Sequence, residues 1–347
     1  MLLNFCTILW DLYDIFDDFI LFGDNMCITT GSALVLLKTS YHYYYSEDFK
    51  KMFEKLQQYC DENNQREQTI RDLQRKYFLE EIFILIVCLF TGTLLIIAIC
   101  CHTLFDRTIP YRAKFPIEIH SSQRLTIVFL FQLIMCCYFI WTVVFIDSIG
   151  GQVLNQISLN FHVLCMDFQK IGEGLIANSR SDDRQAREAE NSKLRQNLKE
   201  LIQRHQKLIS FGKHANAIYQ PILMIQLVAS VSMLCLTSFE ATLTMDNIAL
   251  FSKFAVYSIG SIVQILFWCY YGNRVFYMSS AIHEAMVQSN WISGDISFQK
   301  DLILVLMRAR KPFRFDACGY FPITYETFIT VLSRSYSLFT LCRTVSK

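Results

Sequence analysis

Four stretches, residues 82–105, 125–146, 217–239 and 254–273, run for 20 residues or more without one charged side chain. A helix needs about 20 apolar residues to cross a hydrocarbon layer of ~30 Å, so each stretch predicts a membrane span. The third carries Pro221 near its start, which a membrane helix tolerates because neighbouring helices satisfy the freed carbonyl. Two weaker runs flank these. Residues 19–37 are apolar apart from Asp24, Asn25 and a Thr29-Thr30-Gly31-Ser32 patch, and residues 321–345 hold Glu326 and Arg334 among Phe, Ile, Val and Leu. A charged side chain inside a span is costly and faces protein or a water-filled cavity, so both runs are expected to be spans with a polar inner face. Residues 1–10 are apolar but too short to cross. They lack a basic leading region and a small-residue cleavage pattern, so they read as the tail of an earlier helix and not as a signal peptide.

Composition agrees with this division. Hydrophobic residues make up 53% of the 347 and charged ones 18%, below the roughly 25% charged of a soluble domain. Gly (12) and Pro (5) are too scarce for collagen-like or low-complexity classes. The net charge of +1 offers no excess for neutralising phosphates, which argues against nucleic acid as a partner. Most of the 13 cysteines lie within the apolar runs, where they serve as small buried hydrophobes. The fold class expected is all-α, a polytopic membrane helix bundle with six full spans and the remnant of a first helix.

Basic residues near span ends set orientation. Segments 46–80, 148–216 and 274–320 hold seven, ten and six Lys/Arg, which is 23 of the 32, while 1–14, 106–124 and 240–253 hold none, four and one. The rich segments alternate with the poor ones and are assigned to the cytoplasm. Both ends of these six spans then lie outside, an inverted topology relative to G-protein-coupled receptors. That class also requires a D-R-Y-type triplet at an inner helix end, whereas Asp106-Arg107-Thr108 falls at an outer one, and the last span has no Asn-Pro.

The chain divides into outer, ligand-side helices at 1–145 with the cytoplasmic loop 46–80, a cytoplasmic helical extension at 146–216, two spans at 217–273, and a cytoplasmic anchor hairpin with the last helix at 274–347. Within residues 180–211, Leu194, Leu198, Leu201, Ile202, Leu208 and Ile209 recur at spacings that form one helical face. A solvated helix extending a transmembrane one would suffice for such a face. A packing surface between helices or subunits is the reading favoured, since propensity alone seldom holds a helix. A second helix over residues 298–310 is expected to break at Lys311-Pro312.

No catalytic or metal chemistry stands out. The seven histidines are scattered, there is no C-x-x-C, and no P-loop, G-x-S-x-G or dinucleotide fingerprint occurs. Asp24 and Glu326 read as isolated intramembrane acids. Neither an enzyme nor a cofactor is expected. Inverted repeats with interrupted helices, which a secondary transporter would show, are not found.

The last run is the most informative. Thr330, Ser333, Ser337, Leu341 and Thr344 fall three or four residues apart along one helical face. Small hydroxyl residues at this spacing serve helix–helix contacts, and a polar stripe narrowing to Leu341 and Val345 would equally line a water path closed by a hydrophobic gate. The residues alone leave both open. The ending Phe328-x3-Leu332-x2-Ser335-Tyr336-Ser337-x-Phe339-Thr340-Leu341, preceded by Ala317 and Phe321-Pro322-Ile323-Thr324, resembles the C-terminal signature of insect odorant receptors. Ile109-Pro110-Tyr111-Arg112 with Phe115-Pro116, Asp147-Ser148 with His162 and Phe168, and Tyr270-Tyr271-Gly272 with Ser279 and Trp291 resemble further stretches of that family in the same order. The sister gustatory family carries Thr-Tyr-x5-Gln-Phe in its last helix. Thr324-Tyr325 is present, but Val331-Leu332 stands at the Gln-Phe position, which favours the odorant family.

The resemblance implies seven helices with a cytoplasmic N-terminus, so the chain is expected to lack most of the first. It implies an odorant-gated, non-selective cation channel in the cell membrane of a sensory-neuron dendrite, with this subunit and a shared odorant co-receptor forming a heterotetramer. The last helix would line the pore through Thr330, Ser333 and Ser337, with the gate at Leu341, Thr344 and Val345, and the 180–211 helix would serve assembly. Small volatile apolar ligands would bind in the outer half of the bundle, among residues 15–28, 94–104, 125–138 and 254–265. Candidate lining residues there are Phe19, Phe22, Ile99, His102, Phe131, Met135, Tyr257 and Ile262, whose aromatic, apolar and Met side chains supply contact area.

Overall fold

A computed structural model describes residues 1–15, 19–106, 109–115, 122–172, 184–244 and 247–345. Its elements, in order, are α1 (Leu2–Asp14), α2 (Phe19–Tyr44), α3 (Ser46–Asn64), α4 (Gln68–Asp106), α5 (Ser122–Gln169), α6 (Arg184–Leu243), α7 (Ile248–Gln288), a 3-10 turn (Trp291–Ser293), α8 (Ile296–Ala309), a hairpin of β1 (Asp316–Ala317) and β2 (Phe321–Pro322), and α9 (Tyr325–Val345). The four uncharged runs lie in α4, α5, α6 and α7, each long and apolar enough to cross a membrane. The architecture is the all-α polytopic bundle expected from the sequence.

These helices outrun the bilayer. At 1.5 Å per residue, the 48 residues of α5 and the 60 of α6 reach ~70 and ~90 Å, two to three times the hydrocarbon thickness. Phe83, Ile86, Phe90 and Ile97 on α4 and Ile127, Ile134 and Phe145 on α5 are exposed on the outside of the bundle, as lipid-facing side chains must be. The most extensive helix pairing among the described residues joins α5 to α7. Glycines permit it: a Cβ at Gly150 would lie 2.3 Å from the Trp268 ring, and one at Gly151 would lie 2.6 Å from Phe267. Within α6, Pro221 donates no backbone hydrogen bond, and the Tyr41 hydroxyl of α2 donates to the Ile218 carbonyl in the disturbed turn, at 2.9 Å.

The two ends of the bundle differ in charge. The three basic segments converge at one end, where Arg66 and Arg204 both reach Asp167 (3.0 and 2.7 Å), Lys170 pairs with Glu67 (2.7 Å) and Arg195 pairs with Asp295. There the extensions of α5, α6 and α7 pack with α3, α8 and the hairpin around one apolar core that includes Phe161, Phe168, Leu198, Leu208, Phe298, Leu302 and Phe315. The stripe predicted over 180–211 is thus used within the chain: Leu194, Leu198, Leu201 and Leu208 are all buried, on the same unbroken helix that continues into the third apolar run. Residues 180–183 lie outside the described residues. The helix expected at 298–310 is α8, capped by the Asp295 side chain, which accepts from the Phe298 amide at 2.9 Å.

The last span differs from expectation at its start. Residues 321–324 are not helical: Phe321 pairs with Ala317 and Pro322 with Asp316 in the hairpin, whose turn holds Cys318 (φ 52°) and Gly319 (φ 76°) in the left-handed region. Proline has a fixed φ and no amide donor, so the helix begins only after it, at Tyr325. At the opposite end of the bundle, α1 packs on α2, Asn25 donates to Asp11 (2.8 Å) and Lys253 donates to Asp24 (2.7 Å). Asp24 is therefore paired, which corrects its reading as an isolated acid; its partner lies 229 residues away and is invisible to local spacing.

His205 is buried in the inner core with its ring edge-on to Phe161, and burial together with the nearby Arg308 charge pushes its pKa from 6.5 down to about 4. A histidine depressed on folding leaves stability intact above 6.5, and that stability is lost as pH falls towards 4, because the unfolded chain takes up the proton first. Thermal unfolding of the purified protein is expected at a lower temperature at pH 5 than at pH 7.5, and H205Q should reduce the difference between the two.

Candidate functional site

Between α2, α4, α5, α6 and α7 lies a cavity of about 250 Å³. Its walls are mostly apolar: Leu34 and Val35 from α2, Leu95 and Ile99 from α4, Phe139, Ile140 and Val143 from α5, Met233 from α6 and Phe267 from α7. Four hydroxyls in the wall are turned into their own helices. Thr30 donates to the Met26 carbonyl (2.8 Å), Ser32 to Thr29 (3.0 Å), Thr91 to Val87 (2.9 Å) and Ser261 to Tyr257 (3.1 Å). Those groups therefore present methyl and methylene surface to the space.

Small residues create the room. A Cβ on Gly92 would lie 3.1 Å from Ile140, and one on Gly260 would lie 3.1 Å from Leu95, so these glycines set how closely α4 approaches its neighbours. Gly31 is different: a Cβ there would meet nothing within 4 Å, since it faces the cavity itself. Tyr111 closes the outer end. Its hydroxyl donates to Asn4 of α1 (3.0 Å), and its carbonyl accepts from Gln132 of α5 (2.9 Å), which pins the 109–115 segment across the bundle.

Asp147, Ser230 and Gln264 form the inner end. Asp147 accepts from Lys38 at 2.5 Å and from the Gln264 amide at 2.9 Å; Lys38 also donates to Gln226 at 2.5 Å, and Gln226 donates to Ser230 at 2.8 Å. Lys38 is 0% exposed and its ammonium lies 5.8 Å from the centre of the Trp268 ring. One continuous hydrogen-bonded chain thus joins α2, α5, α6 and α7.

Of the eight ligand-side residues expected from the sequence, Ile99 and Tyr257 line this cavity. Phe22, Phe131, Met135 and Ile262 are not among its lining: Phe131 is partly exposed and meets Phe115 edge-on at 6.4 Å, and Ile262 packs on the inner core. The side chains of Phe19 and His102 lie outside the described residues. The cavity sits about two turns deeper than the expected outer half. Its α5 lining runs from Cys136 to Asp147, where 125–138 was expected, and α6 adds Ala229, Ser230 and Met233. Lys38 and Asp147 were passed over because each directly follows an apolar run and reads as a flanking charge; the Thr29–Ser32 patch was the one local hint of an opening.

On α9, Thr330, Ser333, Ser337, Leu341 and Thr344 are all exposed on the single chain, while Thr327, Val331 and Ser335 on the other face are buried against α6 and α7. Thr330 and Ser337 donate back to Glu326 and Ser333, and Thr344 to Leu341. The Val345 side chain lies outside the described residues.

The molecule is thus a multi-pass membrane protein with a ligand-sized apolar cavity among its spans and a hydroxyl-bearing helix face exposed on the single chain. The family model described as the seven-transmembrane odorant receptor matches residues 18–336, and the chain belongs to the odorant receptor family. It is 22% identical to odorant receptor 47b of Drosophila melanogaster over 97% of this chain and 82% of that one. Against odorant receptor 10 of Aedes albopictus the identity is 26%, over 80% and 71% of the two chains. Its fold is similar to that of the insect olfactory receptor OR5 from Machilis hrabei solved in complex with eugenol, with a TM-score of 0.82 and 11% identity over 99% of this chain and 86% of that one.

Two outcomes follow from the cavity geometry. G31L is expected to fill open space without a clash and to gain about 0.5–1 kcal/mol of helix stability, while lowering uptake of the fluorophore N-phenyl-1-naphthylamine by the purified protein at least ~10-fold, the factor that ~1.4 kcal/mol of lost contact represents. K38M, which strands Asp147, should cost about 3–5 kcal/mol, and the K38M/D147L pair should recover most of that loss in a detergent thermal-unfolding assay.

Proposed function

We propose that this chain is the odour-binding subunit of a ligand-gated, non-selective cation channel that assembles with the odorant co-receptor as a heterotetramer in the cell membrane of sensory-neuron dendrites. The observation that carries the reading is the apolar cavity among the spans, large enough for a small volatile molecule and lined from five helices, in a chain of the odorant receptor family. Apolar walls with a few polar groups at one end are how small-molecule sites combine affinity with orientation. The structural relative OR5 was solved with eugenol, a small molecule of that kind.

The exposed hydroxyl face of α9 supports the pore role. In a four-subunit ring, Thr330, Ser333 and Ser337 would face the central water path, and Leu341, Thr344 and Val345 would form its gate, closing by dewetting. Ligand in the cavity shifts the channel towards the open state by binding that state more tightly.

Whole-cell recording across an odour panel, with and without the co-receptor, tests the reading. Currents are expected only from the co-expressed pair; odour-gated currents from this chain alone would favour a homomeric, gustatory-type channel. L341A is expected to raise basal leak or alter ion permeation of the co-expressed pair. Unaltered currents from surface-delivered L341A would remove Leu341 from the gate.

A further inference from the structure

The cavity is apolar along its length but not at its inner end, and the groups there are not all used. Ser230 is 2% exposed and accepts from Gln226, and its own proton has no acceptor among the described residues. Gln264 gives its amide N–H to Asp147, while its carbonyl oxygen has no donor among the described residues. Higher in the same cavity, Tyr257 is 8% exposed and its hydroxyl has no partner among the described residues. A buried polar group without a partner is destabilised relative to one in water, so a ligand atom that completes its hydrogen bond is favoured. Thr30, Ser32, Thr91 and Ser261 already donate to backbone carbonyls, and Tyr111 to Asn4, so none of them has a proton left for a ligand.

The charge at this end points the same way. Asp147 lines the cavity, so an anionic ligand would face a carboxylate at short range in a low-dielectric space. An ammonium gains little in its place, because Lys38 already neutralises Asp147 and cannot leave without being stranded in the bundle.

Resting on the odour-binding reading above, we infer that the cavity selects uncharged molecules with an apolar body and a single terminal oxygen, such as ketones, esters or alcohols, with that oxygen seated against the Ser230 hydroxyl at the inner end. A carbonyl or ether oxygen accepts from Ser230, and an alcohol also donates to the Gln264 carbonyl. The apolar body then lies along Val35, Leu95, Ile140 and Met233 towards Tyr111.

The test is displacement of N-phenyl-1-naphthylamine from the purified full chain by four compounds of matched length: 2-octanone, 2-methyl-1-octene (the same shape with a methylene in place of the oxygen), octanoate and octylammonium. Concentrations are expressed as mole fraction in the micelle, so that partitioning cancels. One hydrogen bond to a neutral group corresponds to a preference of about tenfold. The ketone should displace the fluorophore at about one tenth of the mole fraction the alkene needs, with both ions weaker than either. S230A should bring ketone and alkene together, and S230T should retain the preference. Equal displacement by ketone and alkene in the unaltered protein, or octanoate as the strongest competitor, would overturn the inference while leaving the odour-binding reading intact. No displacement by any compound, together with no odour-gated current, would overturn both.

Discussion

Lys38 and Asp147 are the constraint around which the membrane half is arranged. An ion pair without solvent inside an apolar bundle is tolerable only if the remaining donors and acceptors are met. Gln226 and Gln264 meet them, each from a different helix, and Trp268 covers the ammonium. Trp268 reaches that place because Gly150 has no side chain to obstruct it. Pairing thus dictates composition well beyond the two charges: two glutamines, a tryptophan and a glycine are all where they are on its account. The same chain of hydrogen bonds forms the inner end of the cavity, so the feature that holds four helices together also determines what a ligand meets there.

Most of the architecture was legible from local sequence. Uncharged runs of 20 residues leave little alternative to a membrane helix, and the distribution of Lys and Arg separated the segments that meet at the inner end from those at the outer. The Leu194–Leu208 stripe announced a buried face and has one. The hairpin at residues 316–322 was not legible. Two-residue strands leave no alternation to read, and Pro322 only delays the helix that the apolar pattern suggested would start at residue 321.

The cavity was legible in kind but not in depth. Ile99 and Tyr257 line it, and the flexible or aromatic residues one or two turns nearer the outside do not. Depth depends on how α1 and the Tyr111 segment fill the outer mouth, and that filling is made by contacts 107 residues apart, such as Tyr111 with Asn4. Polar partners suffer from the same distance. Asp24 finds Lys253 across 229 residues and Lys38 finds Gln226 across 188, so a charge within a span looks isolated, and one beside a span looks like an ordinary flank, until the helices are assembled.

α6 is one helix from Arg184 to Leu243, with Leu198 and Leu208 wedged in the inner core and Ser230 and Met233 in the cavity wall. A rod clamped in this way behaves as a lever. Any tilt that a guest imposes on its membrane half arrives at the half beyond the apolar run as a displacement of side chains already in close packing, unless it is taken up by flexure at Pro221. The joint at Pro221, braced by the Tyr41 hydroxyl, therefore governs how much of an event within the bilayer is felt beneath it.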